Sequence, residues 1–353
     1  MADEIVAQAE PIPHTGQAEW FPPAEDDADA ALLHQPQPTS LRWIFRGKEG
    51  LRAGWSIALF FLLVYLFIVA FRAVLHHIAS GSLKASPGEQ TIFATLVPRA
   101  FNFFFIAFSA WIVSLIEPRS FARYGLGLRG RLGQFAAGLG WGFLLLSLLV
   151  LMLKLTGVLA FGIMLLTGGD AIKWGAAWAV TFFVLALFEE FLSRGFLQFT
   201  LARGLAGIAG AVGIDNPRTR RVVGFWLAVL LFSYLFGAGH RGNAGESPIG
   251  LFSAGLIGLV FAFSLWRTGS LWWAVGWHAA WDWSESFLYG VSDSGIMVQH
   301  HLLQSHPQGQ LLLSGGPTGP EGSVYVLVII LLAAVVIHLT LKPQPGSPSM
   351  QDV

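Results

Sequence analysis

Cysteine is absent from the 353 residues, which removes disulfides, thiolate metal sites and a cysteine nucleophile from consideration. Charge is scarce as well: Asp, Glu, Lys and Arg make up 12% of the chain against 54% apolar residues, where a soluble domain carries roughly 25% charged residues. With a mean hydropathy of +0.60, lipid is the expected main solvent. The 21 basic and 21 acidic residues cancel, so no net field favours nucleic acid as a partner. Lys and Arg are missing altogether from the first 41 residues, which instead hold eight acids and several prolines. That stretch cannot bury enough apolar surface to offset its ordering entropy and reads as a disordered acidic tail. It also lacks the basic start and apolar run of a secretory leader. No His-Glu-x-x-His helix, Gly-x-Ser-x-Gly elbow or phosphate-binding glycine loop occurs either.

What is present is a series of long apolar runs. A spanning helix needs about 20 mostly apolar residues, and about eight segments qualify: Gly54–Leu75, Thr91–Ile116, Gln134–Leu155, Trp174–Phe199, Val222–Gly239, Pro248–Trp266, Leu271–Leu288 and Val324–Leu341. The fold class is therefore all-α, a polytopic integral membrane helix bundle. With the amino terminus inside, fourteen Lys and Arg fall on the cytoplasmic side and six on the other, Arg194 within a span being set aside. This bias predicts a cytoplasmic amino terminus in a cell membrane. The organisation reads as the tail 1–41, amino-terminal spans over 42–122, a membrane core over 123–290, an extracytoplasmic loop over 291–322, and a final span with a short tail over 323–353. Ser80–Gln90, Asp215–Arg221 and Ser314–Gly322 read as linkers. The small-residue pairs Gly138 with Gly142, and Ala254 with Gly258, predict close helix packing.

Chemistry concentrates in three of these spans. The fourth places Glu189, Glu190 and Arg194 in an apolar helix, where each ionisable group costs a few kcal/mol. Glu190 and Arg194 are four apart with the acid first, the spacing of an ion pair on one face. Glu189 lies about 100° round the helix from Glu190 and is left to point elsewhere. All three could form one structural cluster; alternatively Glu190 and Arg194 clamp each other while Glu189 serves as a general base. His240 ends the fifth span, and His278 and Asp282 share a face of the seventh. That pair can bind a metal, hold a water or bond to each other. Measured from the cytoplasmic side at about 1.5 Å per residue, Glu189 lies about 20 Å deep, His240 about 27 Å and His278 about 12 Å. Glu285, one turn beyond Asp282, reads as interfacial, Arg241 and Asn243 as loop residues, and His300, His301 and His306 as a loop cluster without a ligand.

In order along the chain, Glu189-Glu190-Phe-Leu-Ser-Arg194, Phe236-x-x-x-His240 and His278-x-x-x-Asp282 resemble the motifs of the CPBP intramembrane peptidases, the family of CAAX prenyl endopeptidases and of bacterial proteins linked to abortive infection and bacteriocin immunity. The similar region runs from about Gly125 to Leu288, and Tyr124–Leu128 is similar to the stretch that often precedes it. The resemblance implies an endopeptidase in which Glu189 activates water, with His240, His278 and Asp282 acting either as zinc ligands together with Glu189 or as a metal-free set. A carboxylate at position 282 fits ligand duty better than oxyanion donation. Peptide or protein substrates at the lipid bilayer are the implied partners. Two other readings of the same residues are a proton-coupled transporter and a non-catalytic immunity or scaffold protein.

Overall fold

The computed structural model describes residues 42–47, 50–78, 89–117, 119–345 and 347–348. The acidic tail over 1–41 and most of the linker Ser80–Gln90 lie outside them. Helices α1 (Ala53–Ile78), α2 (Ile92–Ile116) and α3 (Leu132–Leu155) come first. Next, α4 (Gly168–Glu190) runs through a π turn, Phe191–Leu197, into α5 (Gln198–Ala211). Then follow α6 (Pro217–Gly239), α7 (Pro248–Thr268), α8 (Trp272–Asp282) with a second π turn over Trp283–Leu288, and α9 (Val326–Thr340).

Every expected apolar segment is helical, and the bundle is an all-α polytopic one. Six of the helical runs are long and apolar enough to cross a membrane: α1, α2, α3, the continuous 44-residue run of α4 and α5, α6 and α7. The remaining two are shorter, with 11 residues in α8 before its π turn and 15 in α9. At 1.5 Å per residue the latter reaches about 22 Å, short of a hydrocarbon core of about 30 Å. Apolar side chains face outward on several helices, as at Leu62, Tyr65, Leu230, Leu331 and Leu339. This is the all-round hydrophobicity of helices solvated by lipid.

Helix ends follow local chemistry. Ser247 caps α7 by accepting from Gly250 N, with Pro248 at the first helical position, and Gly269 closes it at φ +63°. Asn216 caps α6 in the same way, with Pro217 next. The basic stretch expected as a linker to Arg221 therefore belongs largely to α6, because Asn-Pro is a start signal for a helix.

The helices pack tightly around α8. A Cβ on Gly138 or Gly142 of α3 would meet the carbonyl oxygens of Trp273 and Trp277 at 2.2 and 2.3 Å, and one on Gly276 of α8 would meet that of Phe135 at 2.3 Å. Backbone thus lies on backbone, as the α3 glycines predict. Gly237 does the same for α6 against α7, where its Cβ would fall 2.4 Å from Leu251 O. The segment 124–128 braces the start of α8: Gly125, at φ +89°, accepts from Leu271 N at 3.0 Å, and Gly127 O accepts from the Trp272 indole at 3.0 Å. On the opposite end the expected loop 291–322 is stitched down. Leu303–Pro307 pairs antiparallel with Leu159–Met164, Met297–Val298 pairs parallel with Glu89–Gln90, and Gly316, Pro320 and Gly322 are buried in short 3₁₀ turns.

Replacing Gly142 with leucine forces α3 off α8. The expected cost is about 1–3 kcal/mol of overpacking, read as a lowered unfolding temperature in detergent, whereas Gly140→Ala, with nothing within 4 Å of its Cβ position, leaves that temperature unchanged.

Candidate active site

Glu190 has no exposed surface, and it is placed by the last turn of α4. Its Oε1 accepts from Arg194 Nη1 at 2.6 Å and from His278 Nδ1 at 2.9 Å. One buried carboxylate therefore holds both the guanidinium on its own helix run and the imidazole on α8. The Arg194 guanidinium lies over the rings of Phe236 and Phe261, 4.3 and 5.2 Å from their centroids. Cation–π attraction in a dry setting supplies the stabilisation that water would otherwise give. Gly258 makes room for it, since a Cβ there would sit 3.1 Å from Nη2.

With Nδ1 committed to Glu190, the other nitrogen of His278 faces two more acids. Nε2 lies 3.5 Å from Asp282 Oδ2 and 4.0 Å from Glu189 Oε2. The two neighbouring glutamates do point to different surroundings, Glu189 retaining 21% side-chain exposure where Glu190 has none. Yet one imidazole spans both of them, a link that helix periodicity alone does not contain.

His240 sits in the 3₁₀ turn that follows α6, and its Nδ1 donates to Phe236 O at 2.8 Å. A carbonyl only accepts, so Nδ1 carries the proton and Nε2 is the nitrogen left for other partners. The Phe236 ring packs edge-on against both imidazoles, at 5.0 Å from His240 and 6.1 Å from His278.

Glu189, His240, His278 and Asp282 line a single cavity of about 520 Å³. The spread of depths estimated from helix rise is thus absorbed: α8 is short, and His240 lies beyond the end of α6. Glu190 and Arg194 stand behind the cavity wall. Asn243 also lines it, as do residues not singled out from the sequence, among them Arg99 of α2, Asp293, Ser294 and Glu321. Asn243, expected as a loop residue, donates to Ser294 O at 2.9 Å and has a second amide hydrogen to give. Burial and the nearby carboxylates of Asp282 and Glu321 push the Asp293 carboxyl well above the usual range. Glu285 is not interfacial but fully buried, in the π turn that follows Asp282, where neighbouring Ser284, Ser286 and Phe287 are buried as well. His300 stacks on Trp174 at 3.9 Å, and His301 Nδ1 bonds Val298 O at 2.9 Å.

Both helices that carry site acids loosen directly after them. A π turn begins one residue past Glu190 and another one residue past Asp282. In each, a serine hydroxyl takes the carbonyl four residues back, Ser193 that of Glu189 and Ser284 that of Ala280, both at 2.5 Å. Single π turns concentrate at functional sites.

Comparison with known proteins agrees with the motifs. Residues 171–284 match the family model described as type II CAAX prenyl endopeptidase Rce1-like, the family that the motifs resemble. The match covers α4 to α8 and contains Glu189, Glu190, Arg194, His240, His278 and Asp282. No curated protein and no solved structure matches the chain. A CAAX-type membrane protease is the general class that this family supports.

Glu190→Ala strands Arg194 and releases His278. Removing one partner of a buried pair costs about 3–5 kcal/mol, so unfolding in detergent should fall by many degrees; an unchanged unfolding temperature would contradict the clamp.

Proposed function

We propose that this chain is a membrane-embedded endopeptidase in which Glu189 activates a water for attack on a peptide bond. The observation that carries the reading is the single cavity in which Glu189, His240, His278 and Asp282 meet. Glu189 is the acid of the pair with open access to that cavity. Water held between its carboxylate and His278 Nε2 loses a proton to Glu189 as its oxygen bonds the carbonyl carbon. The proton then passes to the amide nitrogen as the C–N bond breaks, which returns Glu189 to its carboxylate form. Glu190 holds the imidazole through Nδ1, and Asp282 stands 3.5 Å from Nε2. The free amide hydrogen of Asn243 is available to the developing oxyanion.

Zinc is a second reading, favoured by one observation: both imidazoles give Nδ1 to protein acceptors and keep Nε2 for another partner, the usual arrangement behind a metal-bound histidine. The placement argues against it. Among the described residues, no three of Glu189, His240, His278 and Asp282 bring ligand atoms within 4.8 Å of one another, whereas ligands on one zinc, each about 2.0–2.2 Å from the ion, stand closer than that. The four do not fit zinc as placed, and no step above uses a metal. Cleavage is therefore expected to survive phenanthroline; loss restored by zinc would establish the metal.

The decisive variant is Glu189→Gln. In purified protein it should lower cleavage of a membrane-tail peptide library at least about 100-fold while leaving the unfolding temperature in place. Retained cleavage would end the proposal. Proton flux into proteoliposomes, abolished by the same substitution and without cleavage by the parent, would support the transporter instead.

A further inference from the structure

Three acids lie together beyond Asp282, and the proposed peptide chemistry does not use them. Glu285 comes from the π turn after α8, Asp293 from the loop that follows, and Glu321 from the 3₁₀ turn before α9. One oxygen of each lies within 4.8 Å of the others. Like charges so placed repel one another in a poorly hydrated site unless something neutralises them.

Two of the three have protein partners. Glu321 accepts from the Trp281 indole at 2.8 Å and from Ser294 Oγ at 2.7 Å, and Asp293 from Ser286 Oγ at 3.3 Å. Glu285 has none: it is wholly buried, and among the described residues neither of its carboxylate oxygens accepts a hydrogen bond. The Trp281 N–H lies near it but is given to Glu321. A buried carboxylate without a donor is rare and calls for a partner of its own. No Lys or Arg is paired with any of the three acids among the described residues.

The surrounding backbone is built to close on this point. Gly319 is held at φ +101°; a Cβ there would fall 1.8 Å from Ser292 O and 3.3 Å from Glu285 Oε1. Only glycine lets the loop lie against the Glu285 carboxylate in that conformation. The donors on offer are all oxygens, three carboxylates with the hydroxyls of Ser286 and Ser294 beside them. Oxygen-only sets of this charge select hard cations over zinc or copper.

We propose that Glu285, Asp293 and Glu321 bind a hard divalent cation, calcium or magnesium, which pins the loop 291–322 to the end of α8. The site is independent of the peptidase reading and shares no ligand with Glu189, His240, His278 or Asp282. Its place three residues past Asp282 makes it a fastening for the cavity wall that Asp293, Ser294 and Glu321 form.

The test uses the full chain in detergent after treatment with a chelator. Calcium or magnesium chloride should raise its unfolding temperature by several degrees, saturably. Terbium should luminesce on excitation of tryptophan, through Trp281, and the effective cation should displace it. Glu285→Gln should lose both signals, and Asp293→Asn serves where that variant fails to fold. His278→Ala should keep both, which separates this site from the peptidase cavity whether or not the protein cleaves peptides. A parent with no saturable shift from either cation and no displaceable terbium emission overturns the proposal. So does a Glu285→Gln protein that keeps both signals, or one more stable than a cation-insensitive parent, since the acids would then be held by protons alone.

Discussion

The contact on which the rest depends is the pair of hydrogen bonds converging on one oxygen of Glu190. In lipid, a lone guanidinium, carboxylate or imidazole is each expensive; joined through Oε1 they share the cost, with Phe236 and Phe261 covering the Arg194 face. The same contact sets direction. A histidine has two nitrogens, and committing Nδ1 to the buried acid turns Nε2 toward Glu189 and Asp282. Glu190 thus works behind the site: it makes the α4 to α8 distance a fixed quantity.

Rigidity elsewhere serves that distance. The glycines of α3 let it press backbone to backbone against α8, and Gly125 with Gly127 receives the first turn of α8. Helix positions so tightly determined allow irregularity at the site. Each π turn inserts a wider turn after a site acid, and a serine hydroxyl takes a carbonyl in each. The irregular backbone is buried in protein rather than exposed to lipid, the one circumstance in which a bilayer tolerates it.

Much of this was readable from the chain alone. Lipid forces backbone bonds inside each helix, so an apolar run reports a helix directly, as it did for all eight segments. Spacing of three or four residues reports a shared face, and it placed Glu190 with Arg194 and His278 with Asp282. Periodicity carries no information between helices. The link from Glu190 to His278 spans 88 residues and has no local signature. The π turns were hidden for another reason: they break the period that the reading assumes. Glu285 reads as interfacial from its nearness to the helix end, yet it is buried. The segment 291–322 reads as an extracytoplasmic loop, with glycine, serine and proline gathered over Ser314–Gly322. Those residues instead supply positive φ and short turns that let it pack against Asn243 and Gly245.

That folded loop bears on how a peptide could reach Glu189. The cavity lining is mixed: Phe182, Leu185, Phe188, Ile257, Phe261 and Val326 are apolar, and Asp293, Ser294 and Glu321 of the loop stand in the same lining as Glu189, His240, His278 and Asp282. A helical segment arriving from lipid has every interior peptide group bonded within itself, and its carbonyls are closed to attack. Only the frayed end of a span, or an extended stretch beside one, offers a bare carbonyl. The apolar lining side chains of the proposed endopeptidase would take the span, while the backbone turns and carboxylates of the loop would give freed peptide groups partners to bond. In the proposed endopeptidase the loop is thus part of the catalytic cavity as much as the helices are, and what holds it in place governs whether water and substrate meet at Glu189.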